Sequence, residues 1–258
     1  MRDGLLAEWT KLRTGPGTAW LLLGVIAATV ALGAVADAAA RCPAGGCQVD
    51  PVKTSLTGVY LSQAIVAILA VLAIGSEYSS GMIRSTLTAM PCRVTVLAAK
   101  AATLTGLVLA AGTVAILGSL VAGRLILPGH GFTGGHGYPS LSLSDGPVLR
   151  ADAGSVLYLG LIALLSLGVA AAVRDSAAAI GAVLGLLFVV PIIAVAVTDP
   201  HWQRHLEQFA PMQAGLAIQA TIGLRGLPIS PWAGLGVLAF WATMALLAGG
   251  LLLRLRDV

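Results

Sequence analysis

The sequence predicts an all-α polytopic membrane protein with six transmembrane helices. Of its 258 residues, 57% are hydrophobic and only 10% are charged, whereas about a quarter of the residues in a soluble globular domain are charged. Several stretches also reach the roughly 18 consecutive apolar residues that a helix needs to cross the hydrocarbon core of a bilayer. The length of those runs excludes an unusually apolar soluble protein.

The connections between the apolar stretches are polar or rich in Gly and Pro, as is typical of exposed loops. The first stretch, Ala19–Ala36, is longer than the 7–15 residues of a signal-peptide core. We therefore interpret it as a retained span, with a cleaved signal peptide as the alternative. The turn Arg174-Asp175-Ser176 is short enough to require a tight antiparallel hairpin. The predicted spans cover about residues 19–37, 56–76, 98–123, 155–173, 177–198 and 231–253.

The Lys and Arg residues of the loops predict the orientation, because cytoplasmic loops carry an excess of them. Nine lie on the side that holds both termini, against six on the other, and both termini are therefore predicted to be cytoplasmic, in a multi-pass protein of the cell membrane. The nine are Arg2, Lys11, Arg13, Arg84, Arg93, Lys100, Arg174, Arg254 and Arg256; the six are Arg41, Lys53, Arg124, Arg150, Arg204 and Arg225.

Residues 1–18 are predicted to form an amphipathic helix in the inner membrane interface. Leu5, Trp9 and Leu12 share one helical face at spacings of four and three residues, while the charged residues point elsewhere. A helix with one apolar and one charged face binds in the plane of the interface. A simple juxtamembrane anchor is the alternative.

The polar run EYSSGMIRSTLTAMPCR, from Glu77 to Arg93, is unusual in so apolar a chain. Ile83, Leu87 and Met90 repeat at helical spacing within it, and Pro91 ends the pattern because proline cannot continue a helix. We predict a short cytoplasmic helix within residues 77–95, joining spans two and three. An ordinary solvated loop is the alternative.

Residues 199–229 are predicted to form an exterior re-entrant hairpin before the last span. Met212–Leu224 is apolar but too short to cross a bilayer, which suits a re-entrant or interfacial helix. The piece from His205 to Phe209 would supply the second arm of the hairpin.

Few residues offer catalytic or metal chemistry. No phosphate-binding GxxxxGK[ST] motif and no HExxH motif is present. His201 and His205 are four residues apart with Glu207 nearby, but two histidines without a clear third ligand do not predict a metal site. Cys42 and Cys47 are predicted to be exterior, where a disulfide between them is possible.

Transport driven by ions is also disfavoured. No Asp, Glu, Lys, Arg or His lies in the middle of a predicted span, whereas ion-coupled transporters usually carry an ionisable group there. No basic stripe with interleaved aromatic residues is present either, and this excludes nucleic acid as a predicted partner. The positive net charge is explained by the loop asymmetry.

Three stretches resemble the permease subunits of the type-2 ABC exporter family, particularly its actinobacterial members. They are EWTKLRT from Glu8, the run EYSSGMIRSTLTAMPCR from Glu77, and VLAAK ending at Lys100. The pattern Glu-Tyr-x-x-Gly-x-Ile-Arg-x-x-Leu with a following Pro-x-Arg is fairly specific, and the resemblance covers essentially the whole chain.

The resemblance implies a non-catalytic permease that forms the substrate pathway, with ATP and Mg²⁺ bound by two copies of a separate ATPase subunit. It also implies a second permease subunit, identical or different, and contact with membrane lipid. No cofactor is expected on this chain. The surface implied to contact the ATPase consists of Glu77, Tyr78, Gly81, Arg84, Pro91 and Arg93, completed by Trp9, Lys11 and Arg13.

Two other classes of function remain open from the sequence. A self-contained channel or facilitator would pass a solute without nucleotide, although the spans lack the charged rings typical of ion filters. An intramembrane enzyme would need converging catalytic groups, and only His201, His205 and Glu207 come near to this. The substrate is not indicated by any motif.

Overall fold

The computed structural model describes residues 16–41, 49–79, 93–132, 142, 144–196 and 199–255. Within these ranges the chain is helical and contains no strand, and six helices are long and apolar enough to cross a membrane. The prediction of an all-α polytopic membrane protein is therefore confirmed. The side of the membrane on which each end lies stays a prediction.

Ten α-helices make up the described part of the chain, and short 3₁₀ or π turns lie between some of them. In chain order they are α1 Pro16–Ala39, α2 Pro51–Ser55, α3 Val59–Ser79, α4 Arg93–Ile126, α5 Gly146–Val173, α6 Ser176–Leu184, α7 Val190–Ala196, α8 Pro200–Phe209, α9 Pro211–Leu216 and α10 Pro231–Leu255. Span one is α1, span two is α2 with α3, span three is α4, span four is α5, span five is α6 with α7, and span six is α10.

Several spans extend beyond the predicted boundaries, because their first or last turns are less apolar than their centres. Span two begins at Pro51 rather than near residue 56, and span four begins at Gly146 rather than near 155. Both starts have an aspartate before the helix and a proline in its first turn, a combination that favours helix initiation. These extra turns bring Asp50, Arg150 and Asp152 to one end of the helix bundle.

The hairpin between spans four and five is confirmed. Arg174 ends α5 with a φ of 66°, and the Asp175 carboxylate accepts a 2.7 Å hydrogen bond from the Ala178 N–H at the start of α6. Further along span five, the π turn Gly185–Val189 precedes Pro191. A proline removes one backbone donor and crowds the preceding turn, and a widened turn is one way for a helix to accommodate it.

Span four forms the centre of the bundle and packs against spans two, three, five and six. Its side chains Tyr158, Leu159, Ile162 and Leu165 are all at most 1% exposed. Span one packs against spans two and three at the periphery. Side chains of span four thus occupy the interior of the described part of the bundle.

The segment between spans five and six folds back against the bundle. Helix α8 is amphipathic and exposes Trp202 and Phe209, whereas α9 is buried against spans four and six. The stretch Met212–Leu224 is not one continuous helix as the sequence suggested: α9 ends at Leu216, a 3₁₀ turn covers Ala217–Gln219, and Gly223 takes a φ of 66°. The helical turns end at Ala220, whose backbone is extended with φ −69° and ψ 125°, and Gly223 precedes the next 3₁₀ turn, Leu224–Gly226.

Candidate functional site

The bundle has two ends that differ in chemistry. One end holds the fold-back segment α8–α9 and one terminus each of spans one, two and six, at Ala39, Pro51 and Pro231. The other end holds Pro16, Ser79, Arg93 and the turn at Arg174. We refer to the first as the clamp end and to the second as the Glu77 end.

Asp50 joins span two to the fold-back segment at the clamp end. Its Oδ1 accepts hydrogen bonds from the backbone N–H groups of Val52 and Lys53, at 3.1 and 3.2 Å, and so caps α2. The same carboxylate accepts from the Thr221 N–H, from the Thr221 hydroxyl at 2.7 Å and from the Ile222 N–H at 3.1 Å. One carboxylate therefore holds two segments that are 171 residues apart in sequence.

Two further side chains hold the fold-back segment in place. The Arg150 guanidinium of span four donates to the carbonyl oxygen of Ala220, next to the Asp50 contacts. The Gln208 amide of α8 donates to the carbonyl oxygen of Pro228 at 2.8 Å. We call the contacts of Asp50 and Arg150 with residues 220–222 the Asp50 clamp. Asp50 and Arg150 both have charged side chains. Hydrogen bonds that involve a charged group are stronger than those between two neutral groups.

Two carboxylates are buried near the clamp end. The Asp37 side chain, at the last turns of span one, is 0% exposed and accepts a 2.9 Å hydrogen bond from the Ser55 hydroxyl. The Asp152 side chain of span four is 4% exposed, and neither of its oxygens accepts a hydrogen bond from a described residue. Both groups lie in end turns, so the centres of the described spans remain free of ionisable residues, as the sequence indicated.

Lys100 is the main polar link at the Glu77 end. It lies in the second turn of span three, is 3% exposed, and donates from Nζ to the carbonyl oxygen of Ala73 at 3.1 Å. Ala73 belongs to the last turns of span two. This contact connects the two helices that flank the Glu77–Arg93 run.

Spans two and five come very close at the same end. A Cβ added to Gly75 would lie 2.1 Å from the Ser176 hydroxyl oxygen and 3.2 Å from the Ser176 Cβ, so a larger residue would require the serine side chain to move. Ser176 begins span five directly after the Arg174-Asp175 turn. The end of span two is therefore connected to span three through Lys100 and to span five through this close contact.

The residues predicted to contact an ATPase are placed only in part. Glu77 and Tyr78 lie in the final turn of α3, and Arg93 begins α4, so the helices that flank the run reach the same end of the bundle. The other predicted interface residues, and the Cys42–Cys47 pair, lie outside the described residues: Trp9, Lys11, Arg13, Gly81, Arg84, Pro91, Cys42 and Cys47.

The histidine pair does not complete a metal site in the described part of the chain, where no three His, Cys, Asp or Glu side chains are grouped. The His201 and His205 rings pack edge to face with their centroids 4.5 Å apart. Glu207 instead accepts a 3.3 Å hydrogen bond from the Gln203 amide.

The structure also reveals polar contacts that the sequence did not indicate. Asp50 followed by Pro51 is a sequence pattern that favours the start of a helix. This pattern could have been used to predict that the helix of span two begins at Pro51. Its contact with Thr221, however, depends on how the fold-back segment docks. Lys100 appeared from sequence to be a loop cation, and its burial against Ala73 follows only from the packing of spans two and three.

Comparison with known proteins adds no family assignment: neither a protein-family model nor a curated protein matches this chain.

Proposed function

We propose that this chain is the membrane-spanning permease subunit of an ATP-binding cassette exporter, coupled to a separate ATPase subunit. The observation that carries the proposal is the architecture of the Glu77 end. A conspicuously polar run joins the ends of two spans, and those ends are tied to each other and to span five by Lys100 and Gly75. Such a run can receive a mechanical input from a partner protein.

The proposed role of the run is to transmit motion into the membrane. A force on residues 80–92 acts on α3 and α4 together, because the Lys100–Ala73 hydrogen bond joins their ends. The close contact of Gly75 with Ser176 then passes a displacement of span two to span five. Closely packed helices transmit displacement well because protein interiors have few voids. Lys100 is a positioning residue in this scheme.

Substrate would cross the membrane between two permease chains. The interior of one chain is filled by Tyr158, Leu159 and neighbouring side chains of span four, which leaves the outer faces of the bundle for a pathway. Span five is among the least buried spans, and Cβ atoms added to its Gly181 and Gly185 would contact nothing within this chain. Small residues on an open helix face permit close approach of another helix in a bilayer.

ATP would be bound and hydrolysed by the partner, with Mg²⁺ on that subunit. The chain has no phosphate-binding loop of its own, and the centres of its described spans carry no ionisable residue for ion coupling. The expected assembly has two permease chains and two ATPase chains. The implied contact surface consists of Glu77, Tyr78, Gly81, Arg84, Pro91, Arg93, Trp9, Lys11 and Arg13.

Charge reversal in the run tests the proposal. We expect the chain to co-purify with an ATPase, and Glu77→Lys or Arg84→Glu to reduce the transport-coupled ATP hydrolysis of the reconstituted complex at least several-fold, because each opposes a complementary charge on the partner. Arg225→Glu is the matched control, since Arg225 is exposed at the clamp end. Membrane insertion should be normal in all three variants. Unchanged coupling after both reversals would exclude this surface.

A further inference from the structure

A cavity at the clamp end lies between the start of span two and the fold-back segment. Its volume is about 210 Å³, and it opens to one side. Met212, Leu216 and Ala217 supply apolar wall, and Leu227–Ile229 close it from the chain before span six. Since pockets for drug-sized ligands have volumes of about 300–1,000 Å³, the space suits a smaller group, such as a small headgroup.

Opposite charges line the two walls of this cavity. Lys53 belongs to α2 of span two, and Glu207 belongs to α8. Among the residues that the structure describes, neither of them forms an ion pair. The only described hydrogen bond of the Glu207 carboxylate is the one from Gln203, at 3.3 Å. The two charges are therefore available to a ligand that carries both signs.

Two uncharged polar side chains, Tyr60 and Gln213, also line the cavity. The Oε1 atom of Gln213 is buried and accepts no hydrogen bond from a described residue, so it lies behind the cavity surface. The contacts with a charged ligand are therefore assigned to Lys53 and Glu207 alone.

The walls are held in position without any ligand. The Asp50 clamp fixes residues 221 and 222 and caps the helix that carries Lys53. Gln208 fixes Pro228 from α8. A site whose walls are already ordered loses less free energy on binding than one that must fold around its ligand.

We infer that this cavity binds a small zwitterion, its ammonium group on Glu207 and its anionic group on Lys53, with any short apolar part against Met212 and Leu216. A phosphoethanolamine group has this chemistry, as a phospholipid headgroup or as a free molecule. The inference requires no ATPase partner, and its test is independent of the proposed coupling.

The test measures binding to the purified full chain in nanodiscs of phosphatidylglycerol, with and without phosphatidylethanolamine, by native mass spectrometry of retained lipid. In parallel, free phosphoethanolamine is titrated in nanodiscs that contain phosphatidylglycerol alone. Propylamine and propyl phosphate, each with a single charge, serve as control ligands. Retained phosphatidylethanolamine identifies the headgroup as the ligand, and saturable binding of phosphoethanolamine identifies the free molecule.

The variants are Lys53→Gln, Glu207→Gln and the exchange Lys53→Glu with Glu207→Lys. Each single variant should weaken binding about tenfold or more, as expected for the loss of one charge-assisted hydrogen bond, and the exchange should recover much of the loss. Arg225→Gln, outside the cavity, should bind as the wild type does. Thermal unfolding confirms that each variant is folded. The inference is overturned if neither probe binds, if the singly charged ligands bind equally well, or if the single variants leave binding unchanged.

Discussion

At the residue scale, each of a few polar side chains joins parts of the chain that are far apart in sequence. Asp50 contacts Thr221 and Ile222, Lys100 contacts Ala73, and the Tyr158 hydroxyl donates to Gln63 Oε1 between spans four and two. Interhelical hydrogen bonds in a bilayer contribute only about 0.6–2 kcal/mol each. Their main effect is to define which segments meet and in which register.

Asp50→Asn should loosen the fold-back segment. The amide keeps the shape of the side chain but loses the charge and turns an NH₂ group toward backbone donors, and hydrogen bonds to a charged acceptor contribute about 1.5–3 kcal/mol. We expect faster amide hydrogen exchange at Thr221 and Ile222 and a lower thermal unfolding midpoint. Asp145→Asn is the matched control, because Asp145 precedes α5 without a side-chain capping bond. Equal exchange in both variants would contradict the clamp.

At the element scale, glycines determine how closely the spans approach. A Cβ on Gly168 of span four would lie 2.5 Å from the backbone of Ala245 and Leu246 in span six, and a Cβ on Gly249 would lie 2.6 Å from the Gly168 carbonyl oxygen. These two helices therefore meet backbone to backbone. Small residues at helix contacts are a usual basis of packing in membranes.

Gly168→Ala should separate spans four and six. The new methyl group would meet backbone atoms that cannot rotate away, and overpacking of this kind costs about 1–3 kcal/mol. Gly236→Ala on span six is the control, because its Cβ would contact nothing within 4 Å and alanine is favoured over glycine in a helix by about 1 kcal/mol. Thermal unfolding in detergent should show a lower midpoint for the first variant only. Two equal midpoints would argue against the close contact.

At the scale of the whole molecule, the six spans form a bundle with span four at its centre. The two ends of this bundle have different chemistry. The clamp end holds the fold-back segment in place, and the Glu77 end connects spans two, three and five. This difference between the two ends is compatible with the proposed function, in which a partner protein exerts force at the Glu77 end. Among the described residues, span four occupies the middle of the bundle.

The chain reconstituted alone in liposomes should therefore not pass solute at a rate above that of protein-free vesicles. Under the proposed function, addition of an ATPase partner and nucleotide should then produce transport, because the pathway and the driving force would both depend on the assembly. Flux is measured with a panel of hydrophobic and amphipathic fluorescent solutes. Nucleotide-independent flux through the chain alone would instead support the self-contained facilitator.

Much of the fold could be predicted because membrane spans are encoded locally. About 20 consecutive apolar residues form a helix in a bilayer whatever their neighbours are, since the backbone must satisfy its hydrogen bonds internally. The six spans and the hairpin at Arg174 accordingly appear where the sequence placed them. The helices of spans two and four begin before the predicted spans, because their first turns contain Lys53, Arg150 and Asp152 and are too polar to be predicted as membrane helix.

The amino-acid sequence by itself determined the membrane class, the number of spans and the polar run between spans two and three. Only the tertiary structure decided that Asp50 holds the fold-back segment, that Lys100 bridges the ends of spans two and three, and that Lys53 and Glu207 share one cavity. The physical reason is the separation along the chain over which each interaction acts. Hydrophobic length acts within one helix, whereas a hydrogen bond between residues 50 and 221 requires that the intervening helices first pack.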